Sequence, residues 1–138
     1  MTNQSLLDRR EEIVRAHMNA ENNHDVEATV ATFHHARYEV MPFGGATDGA
    51  DAVRGLLGAL MQAFPDFRVS EERLYHGGDC VIVETRMTGT QQGEWMGLPA
   101  SGRKIDVLAA CFFVFEEDRL LCERVYFDNA TMMGQLTA

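Results

Sequence analysis

The sequence predicts an α+β fold in which helices gather on one face of a mostly antiparallel sheet. Helical patterns fill the first half of the chain, whereas long strand patterns joined by short turns fill the second half. Helices followed by a run of strands are typical of α+β domains and not of folds that alternate the two elements. A length of 138 residues suits one compact domain with its own core, so we expect a single domain over residues 1–138.

Three helices are predicted in the first half of the chain. Apolar residues recur at helical spacing from about Ser5 to Asn22, and the Ser5 side chain can cap the start. A short second helix follows Asp25, which is expected to be its N-cap. The third helix runs from about Asp48 to Phe64 with one apolar stripe, and Pro65 ends it.

Five strands and a closing helix follow from the rest of the pattern. The strands are expected within residues 34–41, 67–75, 80–90, 104–115 and 120–128, and a short helix over 129–136. The strand Ile105–Phe115 carries apolar residues in both alternating sets, which is typical of a strand that is covered on both faces. The helices cover one face. A second copy of the chain is the simplest cover for the other, so we expect a homodimer through the outer face of the sheet.

Composition excludes several classes of partner. The formal net charge of -9 repels phosphate backbones and anionic lipid, so neither nucleic acid nor a membrane is an expected partner. No apolar run is long enough to span a bilayer, and the segment Met1–Arg15 lacks the apolar block of a signal peptide. The three cysteines are expected to be reduced core residues of a cytoplasmic protein. No cluster has metal-ligand spacing and His17 stands alone on its helix, so neither a metal nor a cofactor is predicted.

The last predicted strand, residues 120–128, is the place where a pocket wall is expected. It mixes apolar residues with Glu123, Arg124, Tyr126 and Asp128. Charged groups are costly inside a core unless they are paired or put to use. A strand with this many ionisable side chains is therefore a candidate wall of a binding site.

Other strands contribute further candidates, each with a structural alternative. Glu84 and Arg86 share one strand face and are a possible buried pair that orients a ligand oxygen, or else a pair across the sheet or at a dimer interface. Tyr38 and Tyr126 are candidate donors to a carbonyl or enolate oxygen, or else core residues with satisfied hydroxyls. Trp95 is expected at the rim of the pocket.

Several motifs together resemble the SnoaL-like polyketide cyclases. They are the run Glu123–Asp128 with the segment Ala130–Leu136 after it, the segment Gly89–Pro99, and the pair Gly102-Arg103. The resemblance implies the nuclear transport factor two fold, a curved sheet wrapped around three helices to form a cone with a hydrophobic pocket. This fold hosts isomerases, cyclases, hydrolases and proteins without activity, so the fold alone does not decide the function.

The resemblance also implies a catalytic residue. In the cyclases an aspartate serves as general acid and base for an aldol ring closure, and Asp128, seven residues before Gln135, matches its position. A carboxyl group in an apolar cavity has a raised pKa and can both take and give a proton near neutral pH. The alternative is that Asp128 caps the terminal helix through its backbone amides. If Arg124 pairs with Asp128, the carboxylate is held ionised and the pKa of Asp128 falls.

A second resemblance is to the limonene epoxide hydrolases, which use two aspartates that flank an arginine. Arg86 matches the arginine and Tyr38 a tyrosine that holds the water. Thr88 and Val125 stand where the two aspartates are required. Without those carboxylates this mechanism has neither its acid nor its base.

The sequence therefore predicts a cofactor-independent enzyme of the cyclase or isomerase type that acts on a small, hydrophobic, oxygenated molecule. Asp128 is the predicted acid/base residue. The predicted pocket residues are Tyr38, Glu84, Arg86, Trp95, Arg124 and Tyr126. The alternative from another class is a ligand-binding or dimerisation module without turnover.

Overall fold

The computed structural model describes residues 2–138 and confirms the α+β class. The helices are α1 (Asn3–Asn22), α2 (Val26–Ala31), α3 (Ala50–Ala63) and α4 (Asn129–Thr137). The strands are β1 (Arg37–Val40), β2 (Thr47–Asp48), β3 (Arg68–His76), β4 (Cys80–Thr90), β5 (Lys104–Glu116) and β6 (Arg119–Phe127). A short 3-10 helix at Met41–Phe43 and the two-residue strand β2 are the elements that the sequence pattern does not predict.

The six strands form one mixed sheet in the order β2-β1-β6-β5-β4-β3. All neighbouring pairs are antiparallel except β1 and β6, which run parallel with Tyr38 opposite Glu123. Register shifts between Glu71 and Arg73 in β3 and between Val114 and Phe115 in β5 interrupt the ladders. Bulges of this kind bend a strand and increase its twist, which curves the sheet around the helices.

Side-chain caps set the starts of two helices. The Asp25 carboxylate accepts a hydrogen bond from the Ala28 amide at 3.0 Å and begins α2, as predicted. Helix α1 begins earlier than the apolar pattern indicates, because Thr2 is its cap and accepts from the Ser5 amide at 3.1 Å. Ser5 therefore lies inside the helix. The exposed first turn of a helix carries no apolar pattern, so the start of the helix is located by its capping residue and not by periodicity.

The core lies between the inner face of the sheet and the helices. Val14 of α1 and Phe64 after α3 pack against inward residues of the strands such as Val83, Ile105 and Phe113. A second cluster joins Val53 and Leu57 of α3 to Tyr38 of β1. Along β5 buried residues alternate with more exposed ones, so one face of this strand is open in the single chain.

The outer face of the sheet, for which a second copy of the chain is the expected cover, is open in the single chain. Leu108 of β5 is 59% exposed, and Tyr126 of β6 is exposed beside Phe112. These side chains stay uncovered within residues 2–138, and the expected homodimer stays a prediction. No helix in residues 2–138 is both long and apolar enough to cross a membrane. Cys80, Cys111 and Cys122 are all free thiols.

Candidate active site

An apolar cavity lies between the inner face of the sheet, α1 and α3, and it is partly open to solvent. Its volume is about 80 Å³. The apolar part of the lining includes Val40, Phe43, Leu57, Leu60, Val69, Met87, Trp95, Val125, Phe127 and Met132. Pockets for drug-sized ligands measure about 300–1,000 Å³. The cavity therefore suits a small molecule, or one end of a larger one that extends through the opening.

Four ionisable or polar groups meet at one part of this cavity. Glu21, Tyr38 and Glu123 line it, and His17 lies in contact with all three. Each of the four side chains is almost completely buried. We call these four residues the acid/base cluster.

Local structure brings the cluster together. His17 and Glu21 are four residues apart on α1 and therefore project from the same side of the helix. Tyr38 and Glu123 are directly opposite each other in the parallel pair β1–β6. Both strand residues point inward, so their side chains meet the inward side of α1.

Hydrogen bonding fixes one ring nitrogen of His17 as a donor. Nδ1 lies 2.7 Å from the Thr32 hydroxyl oxygen, and that hydroxyl donates its own hydrogen to the Thr29 carbonyl at 2.7 Å. Because a hydroxyl has one hydrogen, Thr32 can only accept from His17. Nδ1 therefore carries a proton.

The second ring nitrogen faces acceptors only. The Tyr38 hydroxyl donates to Oε2 of Glu21 at 3.2 Å, and Nε2 of His17 lies 2.9 Å from the same hydroxyl oxygen. Nε2 is also 3.3 Å from Oε1 of Glu21 and 2.8 Å from Oε1 of Glu123. With both nitrogens acting as donors, His17 is an imidazolium.

The pKa of His17 agrees with this assignment. Burial alone would lower it, but the nearby carboxylates of Glu21 and Glu123 outweigh burial and raise the pKa to about 10. The rings of Phe33 and Phe113 stand edge-on to the imidazole, with centroids 5.2 and 5.3 Å away. These rings exclude water, so the charged ring depends on the carboxylates for its stability.

Glu123 has an unusual pKa for a carboxyl group. Burial and then the negative charge of Glu21 raise it, and these effects exceed the opposing effect of His17, so the pKa is about 7. Although Oε1 is close to Nε2 of His17, it receives no hydrogen bond of good direction. This buried carboxyl group at the cavity therefore lies beside the charged His17 ring and can change its protonation state near neutral pH.

Tyr38 is held as a neutral phenol. Burial, followed by the charges of Glu123 and Glu21, raises its pKa well above the usual value of 10.0. Its hydrogen is directed to Glu21, so in this state it orients the cluster and does not point to a ligand oxygen. Tyr38 lines the cavity, and Glu21 satisfies its hydroxyl hydrogen.

The geometry predicted for Asp128 is wrong. Its side chain is exposed at the start of α4, where Oδ1 accepts from the Thr131 amide at 3.1 Å and Oδ2 from the Thr131 hydroxyl at 2.8 Å. These two hydrogen bonds lower its pKa. The capping alternative describes Asp128, because a carboxylate directly before a helix is attracted to the unpaired amides of the first turn.

Arg124 does not decide the state of Asp128. Its guanidinium donates to the Glu39 carboxylate at 2.7 Å on the outer side of the sheet. Arg124 and Asp128 are therefore independent, and neither is among the residues that line the cavity.

Three more of the predicted pocket residues, Glu84, Arg86 and Tyr126, are not among the residues that line the cavity. Glu84 is exposed, and Arg86 forms ion pairs with Glu72 and Asp106. Tyr126 is exposed on the outer face of the sheet. The physical reason is the two-residue period of a strand, which places every second side chain outside, and the sequence does not say which set faces inward.

Trp95 lines the cavity. It is only 8% exposed, and its ring packs against Phe43 and Phe64 with centroids 6.3 and 5.8 Å away. Its indole nitrogen has no hydrogen-bond partner.

Two features of the sequence indicate the acid/base cluster. Glu21 follows His17 by one helical turn, so His17 does not stand alone on its helix. Glu123 occupies the same alternating set of the last strand as Val125. The three groups His17, Glu21 and Glu123 each place one possible ligand atom within 4.8 Å of the others, so the cluster is also where a metal ion would fit. The absence of a metal stays a prediction.

Comparison with protein families gives one match. A family model described as SnoaL-like polyketide cyclase matches residues 11–136. No curated protein matches the chain significantly.

Solved structures resemble the whole chain. A candidate polyketide cyclase from Xanthomonas campestris pv. campestris superposes with a TM-score of 0.85 at 18% identity, covering 94% of this chain and 98% of the other. A candidate SnoaL-like polyketide cyclase from Jannaschia sp. CCS1 gives 0.82 at 22% identity, covering 95% and 93%. A hypothetical protein with a ketosteroid isomerase-like fold from Catenulispora acidiphila, in complex with trimethylamine, gives 0.78 at 18% identity, covering 91% and 92%. At these identities the likeness confirms the predicted cone-shaped fold.

Proposed function

Since the chain belongs to the SnoaL-like polyketide cyclase family, we propose that it is an enzyme of the cyclase or isomerase type that acts on a small, hydrophobic, oxygenated molecule without a cofactor. One observation carries the proposal. A buried carboxyl group, Glu123, lines an apolar cavity beside the His17 imidazolium and has a pKa of about 7. A group of this kind can take and return a proton at neutral pH.

Glu123 is the proposed proton carrier. In its ionised form it removes a proton from a carbon next to a ligand carbonyl, and the electron pair of that C–H bond moves toward the carbonyl oxygen to give an enolate. In an isomerisation, Glu123 returns the proton to another carbon. In a ring closure, the enolate carbon forms a bond to a second carbonyl carbon, and the proton goes to the new alkoxide.

The other members of the acid/base cluster position and charge Glu123. The His17 imidazolium favours the ionised form of Glu123, and the same positive charge stabilises negative charge that develops on a ligand nearby. Glu21 opposes this effect and keeps the pKa of Glu123 from falling. Tyr38 links His17 to Glu21, because its hydroxyl oxygen accepts a hydrogen bond from His17 and its hydrogen is donated to Glu21. Asp128 has no catalytic part in this proposal.

We also propose an oligomeric state and a cellular compartment for the protein. The open outer face of the sheet supports a homodimer, with the cavity of each copy on the opposite side. Three free thiols are consistent with a reducing compartment, and we propose the cytoplasm.

The test measures proton removal directly and does not need the natural substrate. Ketones such as acetophenone and cyclohexanone are incubated in D₂O, and exchange of the hydrogens next to the carbonyl is followed by proton NMR. The wild-type protein is expected to accelerate exchange, and Glu123→Gln, which keeps the shape and removes the base, is expected to lower the accelerated rate by about 100-fold or more.

The matched control is Asp128→Asn, which should exchange the ketones as fast as the wild-type protein. Equal loss in both variants would count against Glu123 as the base. Binding of the ketones without any accelerated exchange would favour the alternative, a ligand-binding module without turnover.

A further inference from the structure

We propose that the indole N–H of Trp95 binds a ligand oxygen that has no hydrogen of its own, such as that of a ketone, ester or ether, and thereby orients the ligand in the cavity. This inference rests on the proposed function, because the ligand is the one whose proton Glu123 takes. It adds a specificity-determining residue and narrows the class of ligand.

The first observation is an unpaired donor. Trp95 is 92% buried, as its 8% exposure shows, and within residues 2–138 its Nε1 makes no hydrogen bond. Indole N–H groups are donors only, and they usually find a partner when they are buried. Because Trp95 lines the apolar cavity, a molecule in that cavity is the natural source of the missing acceptor.

The second observation is that the segment around Trp95 is held rigidly. Gln91 is completely buried, and its amide nitrogen donates to the carbonyl oxygens of Gly93 and Leu98 at 3.1 and 3.0 Å. Its amide oxygen accepts from the Ser101 hydroxyl at 2.7 Å. Trp95 and Leu98 also exchange backbone hydrogen bonds of 3.0 and 2.9 Å. The indole is thus preorganised, so little freedom is lost when it binds an acceptor.

Close packing fixes the same segment against α3. A Cβ atom added at Gly93 would lie 2.9 Å from the backbone oxygen of Gln62, so only glycine permits this approach. The backbone amides of Gln92 and Gly93 both donate to the Ala63 carbonyl at the end of α3. Phe43 and Phe64 then hold the indole ring edge-on.

The chemistry of the two sites in the cavity defines the ligand. Trp95 offers a hydrogen and no acceptor, whereas the acid/base cluster offers a carboxyl oxygen that takes a proton. A ligand that satisfies both is a compact apolar molecule with an oxygen acceptor on one side and an acidic C–H group on another. A hydrocarbon of the same shape fills the cavity but leaves both groups unpaired.

The experiment uses the fact that Trp95 is the only tryptophan of the chain. In ¹⁵N-labelled protein its indole N–H gives one cross-peak, which is followed during titration with acetophenone and, in parallel, with ethylbenzene of nearly the same shape. We expect acetophenone to bind and to move the indole proton downfield, as a new hydrogen bond does, and ethylbenzene to bind more weakly with a smaller shift.

A variant separates the hydrogen bond from the ring. Trp95→Phe keeps an aromatic side chain and removes the donor, and calorimetry measures both ligands with both proteins. The affinity for acetophenone should fall by about 2- to 10-fold, the value of one neutral hydrogen bond, relative to the change for ethylbenzene.

The inference is overturned if neither ligand binds, if acetophenone binds without moving the indole peak, or if the variant weakens both ligands equally. If Trp95→Phe does not fold, the two titrations of the wild-type protein still decide the question. These measurements register binding and not turnover. The results predicted for Trp95 can therefore be absent while the hydrogen exchange assigned to Glu123 persists, and the exchange can be absent while the Trp95 results are found.

Discussion

Two carboxyl groups and one imidazole share the buried acid/base cluster, and this imbalance of charge governs its residues. One imidazolium can neutralise one carboxylate, so the second raises the energy of the ionised state. Glu123 carries the consequence, with a pKa of about 7, whereas the pKa of His17 rises to about 10. The same imbalance that suits Glu123 to proton transfer also makes the cluster sensitive to pH.

His17 should make stability fall as the pH rises. Its folded pKa of about 10 lies above the usual histidine pKa of 6.5, so the folded state binds more protons between these pH values. The stabilisation is fully present below pH 6.5 and is lost as the pH rises through about 10. We expect urea unfolding to show a free energy lower at pH 9.5 than at pH 6.5 by a few kcal/mol, which is about what a shift of this size implies.

The comparison is between two histidine variants. His17→Gln should weaken the fall in stability between pH 6.5 and 9.5, although it also lowers stability because two buried carboxylates lose their cation. His35→Gln changes an exposed histidine that is paired with Asp48, and this variant should show the same dependence of stability on pH as the wild-type protein. A wild-type protein with the same stability at both pH values would contradict the assignment of His17 as a buried imidazolium.

At the scale of secondary structure, Asp128 illustrates how one residue joins two elements. Strand β6 ends at Phe127 and α4 begins at Asn129, so Asp128 is the single residue between them. Its carboxylate satisfies the Thr131 amide, which has no partner within the helix. The acidic residue after this strand is thus explained by helix capping.

Replacement of the cap should affect stability and not proton transfer. Asp128→Ala is expected to lower the free energy of unfolding by about 1 kcal/mol, whereas Asp128→Asn, which still caps, should change it by only a few tenths. Chemical denaturation measures the change in stability, and the ketone exchange assay measures proton transfer. A large loss of exchange activity in Asp128→Asn would restore Asp128 as a catalytic candidate.

At the scale of the whole molecule, the parallel pair β1–β6 joins the two halves of the chain. It places Tyr38 from the helical half opposite Glu123 from the strand half, while α1 brings His17 and Glu21 over both. The open outer face of β5 and β6 lies on the other side of the same sheet. Catalysis and association are therefore assigned to opposite faces of one layer.

The outer face should be a dimer interface. Leu108, Phe112 and Tyr126 form its apolar part, and a stable dimer should bury roughly 1,200 Å² or more in total. Light scattering at micromolar concentration is expected to give the mass of a dimer. Leu108→Glu should shift it toward the monomer, because a charge would be buried without a partner.

Met96→Glu is the matched control for that substitution. Met96 is 53% exposed, close to the 59% of Leu108, but it lies in the segment between β4 and β5 and not on the sheet face. This variant should remain dimeric. A monomer mass for the wild-type protein would refute the interface.

The sequence by itself determined the class of fold, the elements and most of their limits. Capping at Asp25, the apolar stripe of α3 and the turns between the long strands are local signals, and local interactions produce those features. The motifs around Gly89–Pro99 and Glu123–Asp128 were sufficient to indicate the family. Trp95 and Tyr38, two of the predicted pocket residues, line the cavity.

Only the tertiary structure decided which ionisable residues meet. Glu123 and Arg124 are neighbours in the chain, yet one is buried beside His17 and the other pairs with Glu39 on the outer face. Strand alternation separates them, and the inward set is fixed by how the sheet packs on the helices, not by the residues alone. The pKa of Glu123 likewise depends on Glu21, more than a hundred residues earlier in sequence, because the fold removes both carboxyl groups from water in the same place.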